Sequence, residues 1–255
     1  PEWSWNYWER TSDYAISRRL PDDIDDSVSV LAGLYLHDPT LIDGTVMAHL
    51  AHLLIATEHA TGGPYRTWRV GAEVVGWNDV DIVVNANVGH LLNLLGVQAS
   101  GLTAFIEERL TAGELASPYY CGSVPALYSL ARWYRGPALP RLQQLIQAAA
   151  SDKLYADDVL WAPMLLTAAL RAGIQGQVLA NLYQTVVQSH HGDHWPARGL
   201  LPYTPSGDKG MQYVGAVSLT TAFALEALAR YQTAAEIPVI SNTSANNSSV
   251  RAPLE

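Results

Sequence analysis

The chain has 255 residues, a net charge of −9 and a hydrophobic fraction of 49%, which is enough apolar material for the core of one large domain. Lys and Arg total 15 against 24 Asp and Glu, and this balance argues against a nucleic-acid partner. A single cysteine excludes an internal disulfide and is typical of a reducing compartment, so we expect a cytoplasmic protein. The apolar run at 46–56 is broken by His49 and His52, and no run is long enough for a transmembrane helix.

In chain order, the pattern predicts a series of helices separated by Gly, Pro and polar turns. After a short helix near 11–19, helices are predicted over 23–36, 41–60, 81–95, 101–112, 122–134, 140–151, 157–171, 175–189 and 216–231. No segment has a convincing strand pattern, and 190–213 is predicted to be a long loop. Residues 236–255 are low in complexity and are expected to form a flexible tail that ends in a tag remnant.

Strongly apolar helices alternate with more amphipathic ones along this series. The apolar set begins near Asp23, Asp79, Cys121, Asp157 and Val214. Such alternation predicts two concentric layers, with buried helices inside and amphipathic helices facing water. We therefore predict an all-α fold, a single α/α barrel over residues 1–235, in which the N-terminal polar residues of the inner helices share one rim.

An acidic stretch opens the first strongly apolar helix, where Asp22, Asp23, Asp25 and Asp26 occur within five positions after Pro21. A proline suits the first turn of a helix, and aspartates suit that end of the helix dipole. An acidic cap on a surface helix would explain the cluster, but the residues that follow leave little polar face. The helix is therefore predicted to be buried, and mutual repulsion together with burial should raise at least one carboxyl pKa.

The sequence Asp23-Ile24-Asp25-Asp26 resembles the DxDD motif of class II terpene cyclases, including squalene–hopene cyclases. Those enzymes also carry a proline before the motif and Thr or Ser after it, similar to Pro21 and Ser27 here. Residues 188–195 (QSHHGDHW) resemble the family's QxxxGxW repeat, with one extra residue before the tryptophan. The likeness covers most of residues 10–232. Because the chain has room for one barrel, it looks most similar to the single-domain cyclases of the merosterolic acid synthase type.

This resemblance implies a protonation-initiated cyclase that converts a linear polyprenyl substrate, such as a prenylated aromatic acid, into a polycyclic product. Asp25, the middle acid of the motif, would be the general acid that protonates a terminal alkene. Asp23 and Asp26 would help to keep Asp25 protonated. We expect Asn85 and Asn87, near the start of another apolar helix, to orient the acids; helix-end caps or core amides are the alternative for both. Protonation of an alkene requires no metal or other cofactor.

The carbocation formed in this way needs a dry cavity lined by aromatic rings. Candidates flank the predicted N-terminal ends of the inner helices, although each ring taken singly also suits a core position: Tyr65, Trp68, Tyr119, Tyr120, Trp161, Tyr203 and Tyr213. No Lys and Arg cluster suited to a diphosphate is evident, so the head group is expected to be neutral or singly acidic, with Arg66 or Arg18 as its contact. His90, His191 or a tyrosine is a candidate for the terminal base.

Other interpretations remain open. Asp22, Asp23 and Asp26 also satisfy the DDxxD magnesium motif of class I prenyl-diphosphate enzymes, but the second metal motif of those enzymes is incomplete after Asn78. Protein prenyltransferase β subunits share the barrel and bind zinc through Asp, Cys and His, yet Tyr119 stands where they carry the Asp. The His-rich segment 190–194 is a further candidate for metal binding. A non-catalytic isoprenoid-binding barrel is the last alternative, and transient membrane contact is expected for any apolar ligand.

Overall fold

The computed structural model describes residues 3–6, 21–71, 76–203 and 212–236. The predicted helix near 11–19, Arg18 and the predicted tail beyond residue 236 lie outside these described residues. The described part is mostly helical, which confirms the all-α class. None of its helices combines the length and the apolar character that crossing a membrane requires.

The described residues form ten α-helices, most of them close to their predicted bounds. In chain order they are α1 (Ile24–His37), α2 (Gly44–Thr57), α3 (Ile82–Leu94), α4 (Ser100–Ala112), α5 (Val124–Ala131), α6 (Leu139–Ser151), α7 (Lys153–Ala156), α8 (Trp161–Arg171), α9 (Gln177–Gln188) and α10 (Val217–Glu236). A 3₁₀ turn at Pro39–Leu41 precedes α2. Helices α3 and α8 end close to the glycines that predicted their ends, Gly96 and Gly173, whereas α2 and α5 each end three residues before their predicted ends.

Two segments differ from the sequence prediction. The predicted loop 190–213 contains strand β1 (Leu201–Tyr203), which pairs antiparallel with β2 (Gln212–Val214), with Leu201 opposite Val214. Strands of three residues are too short to show the alternation from which a strand is recognised. The helix predicted over 157–171 begins only at Trp161, after the separate turn α7, because the Asp158 carboxylate accepts the backbone N–H groups of residues 160 and 161.

Alternate helices are neighbours in space, as the apolar and amphipathic alternation suggests. Helices α1, α3, α5, α8 and α10 contact one another in that succession. The more amphipathic helices pack against this series: α4 against α3, α6 against α5 and α8, and α9 against α8 and α10. Helix α8 is buried from Trp161 to Ala169, and α3 from Ile82 to Leu92, so these helices form the centre of the core.

The two helices at the ends of the series are less buried than predicted. On α1, Val30 is 37% exposed and Leu36 is 63% exposed, and on α10 Leu225 is 56% exposed. The prediction that α1 is a buried helix is therefore correct for one face only. Part of its N-terminal turn is nevertheless in the interior, since Ile24, Asp25, Ser27 and Val28 are buried, and the helix packs against α3.

Candidate active site

The acidic stretch builds the N-terminus of α1. Asp23 is the N-cap, and its Oδ1 accepts the backbone N–H groups of Asp25 at 2.6 Å and Asp26 at 3.3 Å. Aspartate is among the residues that best satisfy the free N–H groups of a first helical turn. Pro21 therefore precedes the helix, and the prediction that it occupies the first turn is wrong.

Two short segments fix the backbone on either side of this cap. The Asp23 amide donates to the Trp5 carbonyl at 3.0 Å, and the Ile24 amide donates to the Thr67 carbonyl at 2.9 Å. The buried Ser27 hydroxyl accepts the Trp5 amide at 2.9 Å and donates to the Asp23 carbonyl at 2.6 Å. The acids thus sit on a backbone that is hydrogen-bonded from both sides, which limits their freedom to move.

Asp25 is the most enclosed carboxyl of the motif, with only 7% of its surface exposed. The Asn87 side-chain amide on α3 donates to its Oδ1 at 2.6 Å, and the Tyr120 hydroxyl lies 2.5 Å from its Oδ2. Arg132, at the end of α5, donates to the amide oxygen of Asn87 at 2.5 Å. Because a cation holds the oxygen of this amide, its NH₂ group must face Asp25.

These contacts are compatible with an acidic proton on Oδ2 of Asp25. Oδ1 accepts from Asn87, which leaves Oδ2 available to carry the proton of the carboxylic acid. The Tyr120 hydroxyl can then donate to the second lone pair of Oδ2, which leaves the acidic O–H free for another acceptor. Once that proton is lost, Asn87 and Tyr120 are two donors already aimed at the resulting carboxylate.

The environment raises the pKa of each of these three acids above its ordinary value. Burial raises the pKa of Asp25, against the opposing effects of the Tyr120 and Asn87 hydrogen bonds and the Arg132 charge. Burial, with the charges of Asp25 and Asp26, raises the pKa of Asp23 to about 8. The pKa of Asp26 is raised to about 6 by burial and by Asp25. Asp23 caps the helix through Oδ1 alone, so a proton on its other oxygen is compatible with the cap.

The two asparagines predicted to orient the acids have different surroundings. Asn87 contacts Asp25, whereas the fully buried Asn85 bonds the backbone of Tyr65 through both its oxygen and its nitrogen, each at 2.8 Å. The Asn85 nitrogen also donates to the Asp81 carbonyl at 2.8 Å. Residues two apart on an α-helix point about 200° away from each other, so only one of the pair can face α1. Asn85 instead fastens the 65–68 segment to α3.

Part of the predicted aromatic set gathers beside the acids. Trp68 donates its indole N–H to the Tyr119 hydroxyl at 2.8 Å, and the two rings meet edge to face at 5.8 Å. Trp77 meets Trp68 edge to face at 4.7 Å. Trp68 also forms a backbone bridge with Asp23, and Tyr120 bonds Asp25. Tyr120 therefore contacts the motif through its side chain, while the rings of Trp77 and Tyr119 are joined to it through Trp68.

The remaining ring and arginine candidates are more dispersed. Tyr65 and Trp161 are buried at 5% exposure each, without a hydrogen bond to the acids, whereas Tyr213 on β2 is 57% exposed. The side chain of Tyr203 lies outside the described residues. Arg66 donates to the Ala56 carbonyl at 2.8 Å, near the end of α2. Its guanidinium therefore satisfies a carbonyl group at the C-terminus of that helix.

The candidate bases and metal ligands do not surround the acids either. His90 is buried on α3, and burial followed by the charges of Arg132 and Arg171 lowers its pKa to about 3. His191 is exposed in a turn closed by a backbone bridge to His194. No group of three or more His, Cys, Asp or Glu side chains converges as a metal site within the described ranges. Half-buried Cys121 belongs to no such group.

The tryptophan of the repeat-like segment has a structural position. Trp195 is 5% exposed and donates its indole N–H to the Val186 carbonyl at 2.7 Å, in the last turn of α9. Its own amide donates to the Thr221 hydroxyl on α10 at 3.1 Å. Trp195 therefore closes the end of α9 and ties it to α10.

Sequence reasoning missed Arg132, which completes the line of contacts to the general acid candidate. A signal was present, because Arg132 directly follows the buried apolar run of α5, where a charge needs a partner. The partner could not be read from the pattern, since Asn87 is 45 residues away in the chain.

Comparisons with known proteins neither support nor oppose an assignment. No family model matches the chain, and a search of curated proteins gave no match. The case for a function therefore depends on the residues themselves.

Proposed function

We propose that this protein is a class II terpene cyclase, a single α/α barrel that protonates the terminal alkene of a linear polyprenyl substrate with Asp25 as general acid. The observation that carries the proposal is the buried Asp25 carboxyl, whose two oxygens meet Asn87 and Tyr120. An alkene is a very weak base. Its protonation needs an acid that keeps its proton and whose conjugate base is stabilised at once. Burial raises the pKa of Asp25, which supports the first condition, and the Asn87 and Tyr120 contacts support the second.

In the proposed step, the Oδ2–H bond of Asp25 breaks and its proton forms a C–H bond with the alkene. The electron pair of the alkene supplies that bond, and the adjacent carbon becomes a cation. Asn87 and Tyr120 stabilise the carboxylate left behind. Further double bonds of the folded chain attack in turn to close rings, and loss of a proton ends the reaction. The product is therefore an isomer of the substrate, which we propose to be a prenylated aromatic acid.

Class I chemistry is less well supported by the same contacts. The alternative needs Asp22, Asp23 and Asp26 to bind magnesium together. The Asp22 carboxylate instead accepts the Ser4 hydroxyl at 2.6 Å and lies 3.7 Å from the Arg69 guanidinium, while Asp23 caps α1. Asp22 and Asp23 thus have separate structural contacts, which favours a proton donor over a shared magnesium site.

Product analysis by mass spectrometry tests the proposal. The full chain is incubated with geranylgeranylated dihydroxybenzoate in EDTA, beside Asp25→Asn and the control Asp43→Asn. Asp43 caps the exposed start of α2, and Asn caps helices equally well. We expect a product of unchanged mass and altered retention, formed equally by the control and at least about a hundredfold more slowly by Asp25→Asn.

Two results would contradict the proposal. Release of diphosphate from geranylgeranyl diphosphate that appears only with added magnesium would assign the motif to class I chemistry. Binding of polyprenyl ligands without conversion, unchanged in Asp25→Asn, would identify a non-catalytic isoprenoid-binding protein.

A further inference from the structure

Two arginines contact the Glu226 carboxylate, and a third, Arg132, lies close by over the ring of a tyrosine that also bonds Glu226. Glu226 on α10 accepts Nη2 of Arg171 at 3.2 Å and Nε of Arg230 at 2.8 Å on its Oε1. Its Oε2 accepts the Tyr128 hydroxyl at 2.6 Å, and the Arg132 guanidinium lies over the Tyr128 ring, 5.5 Å from the centroid. The arginines are far apart in the sequence, and their grouping arises only in the folded chain.

This arginine cluster carries more positive than negative charge. Glu226 is its one acid among the contacts described, and its pKa is lowered by hydrogen bonds from Tyr128, Arg230 and Arg171 despite burial, so it is ionised. The neighbouring His90 stays neutral, because burial and the charges of Arg132 and Arg171 lower its pKa. The three guanidinium groups of the cluster thus have one ionised carboxylate near them, which two of them contact, and two positive charges are left over.

The surplus charge borders a cleft that a ligand can enter. A cleft of about 490 Å³ between α8 and α10 is lined by Arg171, Glu226, Arg230, Leu170, Ala229 and Thr233. Glu226 uses only one nitrogen of Arg171 and one of Arg230, so the other guanidinium N–H groups remain for a second acceptor. Arg230 is 39% exposed, which makes this side of the cluster accessible.

Helix termini alone do not explain the cluster. Arginines are common in last turns, where they offset the helix dipole and bond free carbonyl groups. Arg135 does so, donating to the carbonyls of Ala131, Tyr134 and Arg171. Arg171 and Arg132 instead direct their nitrogens to Glu226 and Asn87, and the Nε atom of each is buried without a hydrogen-bond partner in the described part. Such donors are costly unless another charge stabilises them.

We propose that the cleft beside Arg171 and Arg230 binds the anionic head group, a carboxylate or a phosphate, of the isoprenoid ligand. The isoprenoid part of this inference rests on the proposed function. Guanidinium groups in pairs suit both oxyanions, because each offers two parallel N–H donors. Arg132 contacts Asn87, which in turn contacts Asp25, and Arg132 also lies over Tyr128, which donates to Glu226. A chain of side-chain contacts therefore runs from the general acid candidate to the cleft. The head group and the reacting alkene would then bind at connected sites.

Binding without turnover tests this site. Titration calorimetry is performed on the full chain carrying Asp25→Asn, in EDTA, with three probes: geranylgeraniol, geranylgeranyl diphosphate and geranylgeranylated dihydroxybenzoate. We expect the two anionic probes to bind at least about tenfold more tightly than the neutral alcohol. Comparison of the two anions shows whether phosphate or carboxylate is preferred.

Substitutions in the cluster should shift this preference in opposite directions. Arg171→Gln and the more exposed Arg230→Gln should each reduce the preference for anions, by about threefold to tenfold. Glu226→Gln should increase it, because it removes the competing carboxylate. Arg109→Gln on α4, where the arginine pairs with Glu114, is the control and should change nothing. Circular dichroism verifies that each variant is folded.

The inference is overturned if the alcohol binds as tightly as the anions, if no probe binds, or if Arg171→Gln and Arg230→Gln behave like the control. Weaker anion binding by Glu226→Gln would likewise show that the cluster is a structural network. Failure of the proposed function has a different readout. In that case the anion preference and its response to the variants would persist, while the unaltered chain would convert none of the probes.

Discussion

At the scale of single residues, the orientation of the Asn87 amide connects a buried cation to the general acid candidate. Arg132 donates to the amide oxygen, and the amide nitrogen donates to Asp25. The Arg132 charge also lowers the pKa of Asp25, against the larger effect of burial. Arg132 thus orients Asn87 and lowers the pKa of Asp25, although it does not contact Asp25 itself.

Replacing Arg132 by glutamine should therefore slow the proposed reaction and change its pH dependence. The active form has Asp25 protonated, so activity is lost as pH rises through the pKa of Asp25. Without the Arg132 charge this pKa rises, and the alkaline fall of kcat/KM should move to higher pH. We expect kcat to decrease about tenfold to a hundredfold, because the acid is weaker and the amide is no longer held.

The measurement is a pH–rate profile beside Arg141→Gln, which replaces an exposed arginine on α6. An alkaline limb that stays in place or moves to lower pH would contradict the positioning role of Arg132.

Asp26 offers a prediction about stability. Burial, followed by the Asp25 charge, raises its pKa from 3.8 to about 6, and its Oδ2 is buried without a partner in the described residues. Between about pH 4 and about pH 6, Asp26 keeps its proton in the folded state, whereas it releases this proton in the unfolded state. The free energy of unfolding therefore falls as pH rises from about 4 to about 6, and stays lower above that.

Asp26→Asn removes this penalty, so it should raise the free energy of unfolding by about 1–3 kcal/mol at pH 8 and change it little at pH 4. Urea denaturation at the two pH values measures the difference. Destabilisation at pH 8 would mean that the ionised Asp26 has a favourable partner.

At the scale of elements, two glycines within helices differ in how closely other residues pack against them. A Cβ atom added at Gly89 on α3 would overlap the Trp133 ring, whereas one added at Gly33 on α1 meets nothing within 4 Å. Gly89 therefore sets the close approach of Trp133 to α3, while Gly33 only lowers the helix propensity of α1.

The same substitution should have opposite effects at the two sites. Gly89→Ala should destabilise the fold by about 1–3 kcal/mol, because the Trp133 ring must move out of a packed interface. Gly33→Ala should stabilise it by about 0.5–1 kcal/mol through better helix propensity. Chemical denaturation of both variants provides the comparison, and equal effects would contradict the described packing of α3.

At the scale of the whole molecule, burial predicts an order of local opening. Helix α8 is buried from Trp161 to Ala169, whereas α2 buries only four residues, at Val46, Leu50, Leu53 and Thr57. Local unfolding is cheapest where few apolar contacts are lost. Native-state hydrogen exchange should therefore show α2 amides exchanging by local opening, while α8 amides exchange only on global unfolding. Equal protection of the two helices would contradict this order.

The sequence by itself determined the helical class, most helix bounds and the acidic N-terminus of α1. Helix periodicity, glycine breaks and aspartate caps act over a few residues, so they can be recognised in the sequence. It also pointed to Asn87, Trp68, Tyr119 and Tyr120 as residues near inner-helix termini, without indicating which of them would meet.

Only the tertiary structure decided which side chains contact one another. Asp25 meets Asn87 across 62 residues and Tyr120 across 95, and Arg132 reaches Asn87 across 45. The arginine cluster around Glu226 and the hairpin of β1 and β2 likewise depend on segments brought together by folding. Which side chains face each other depends on how the helices are rotated and packed in the core. A local pattern in one sequence does not specify that packing.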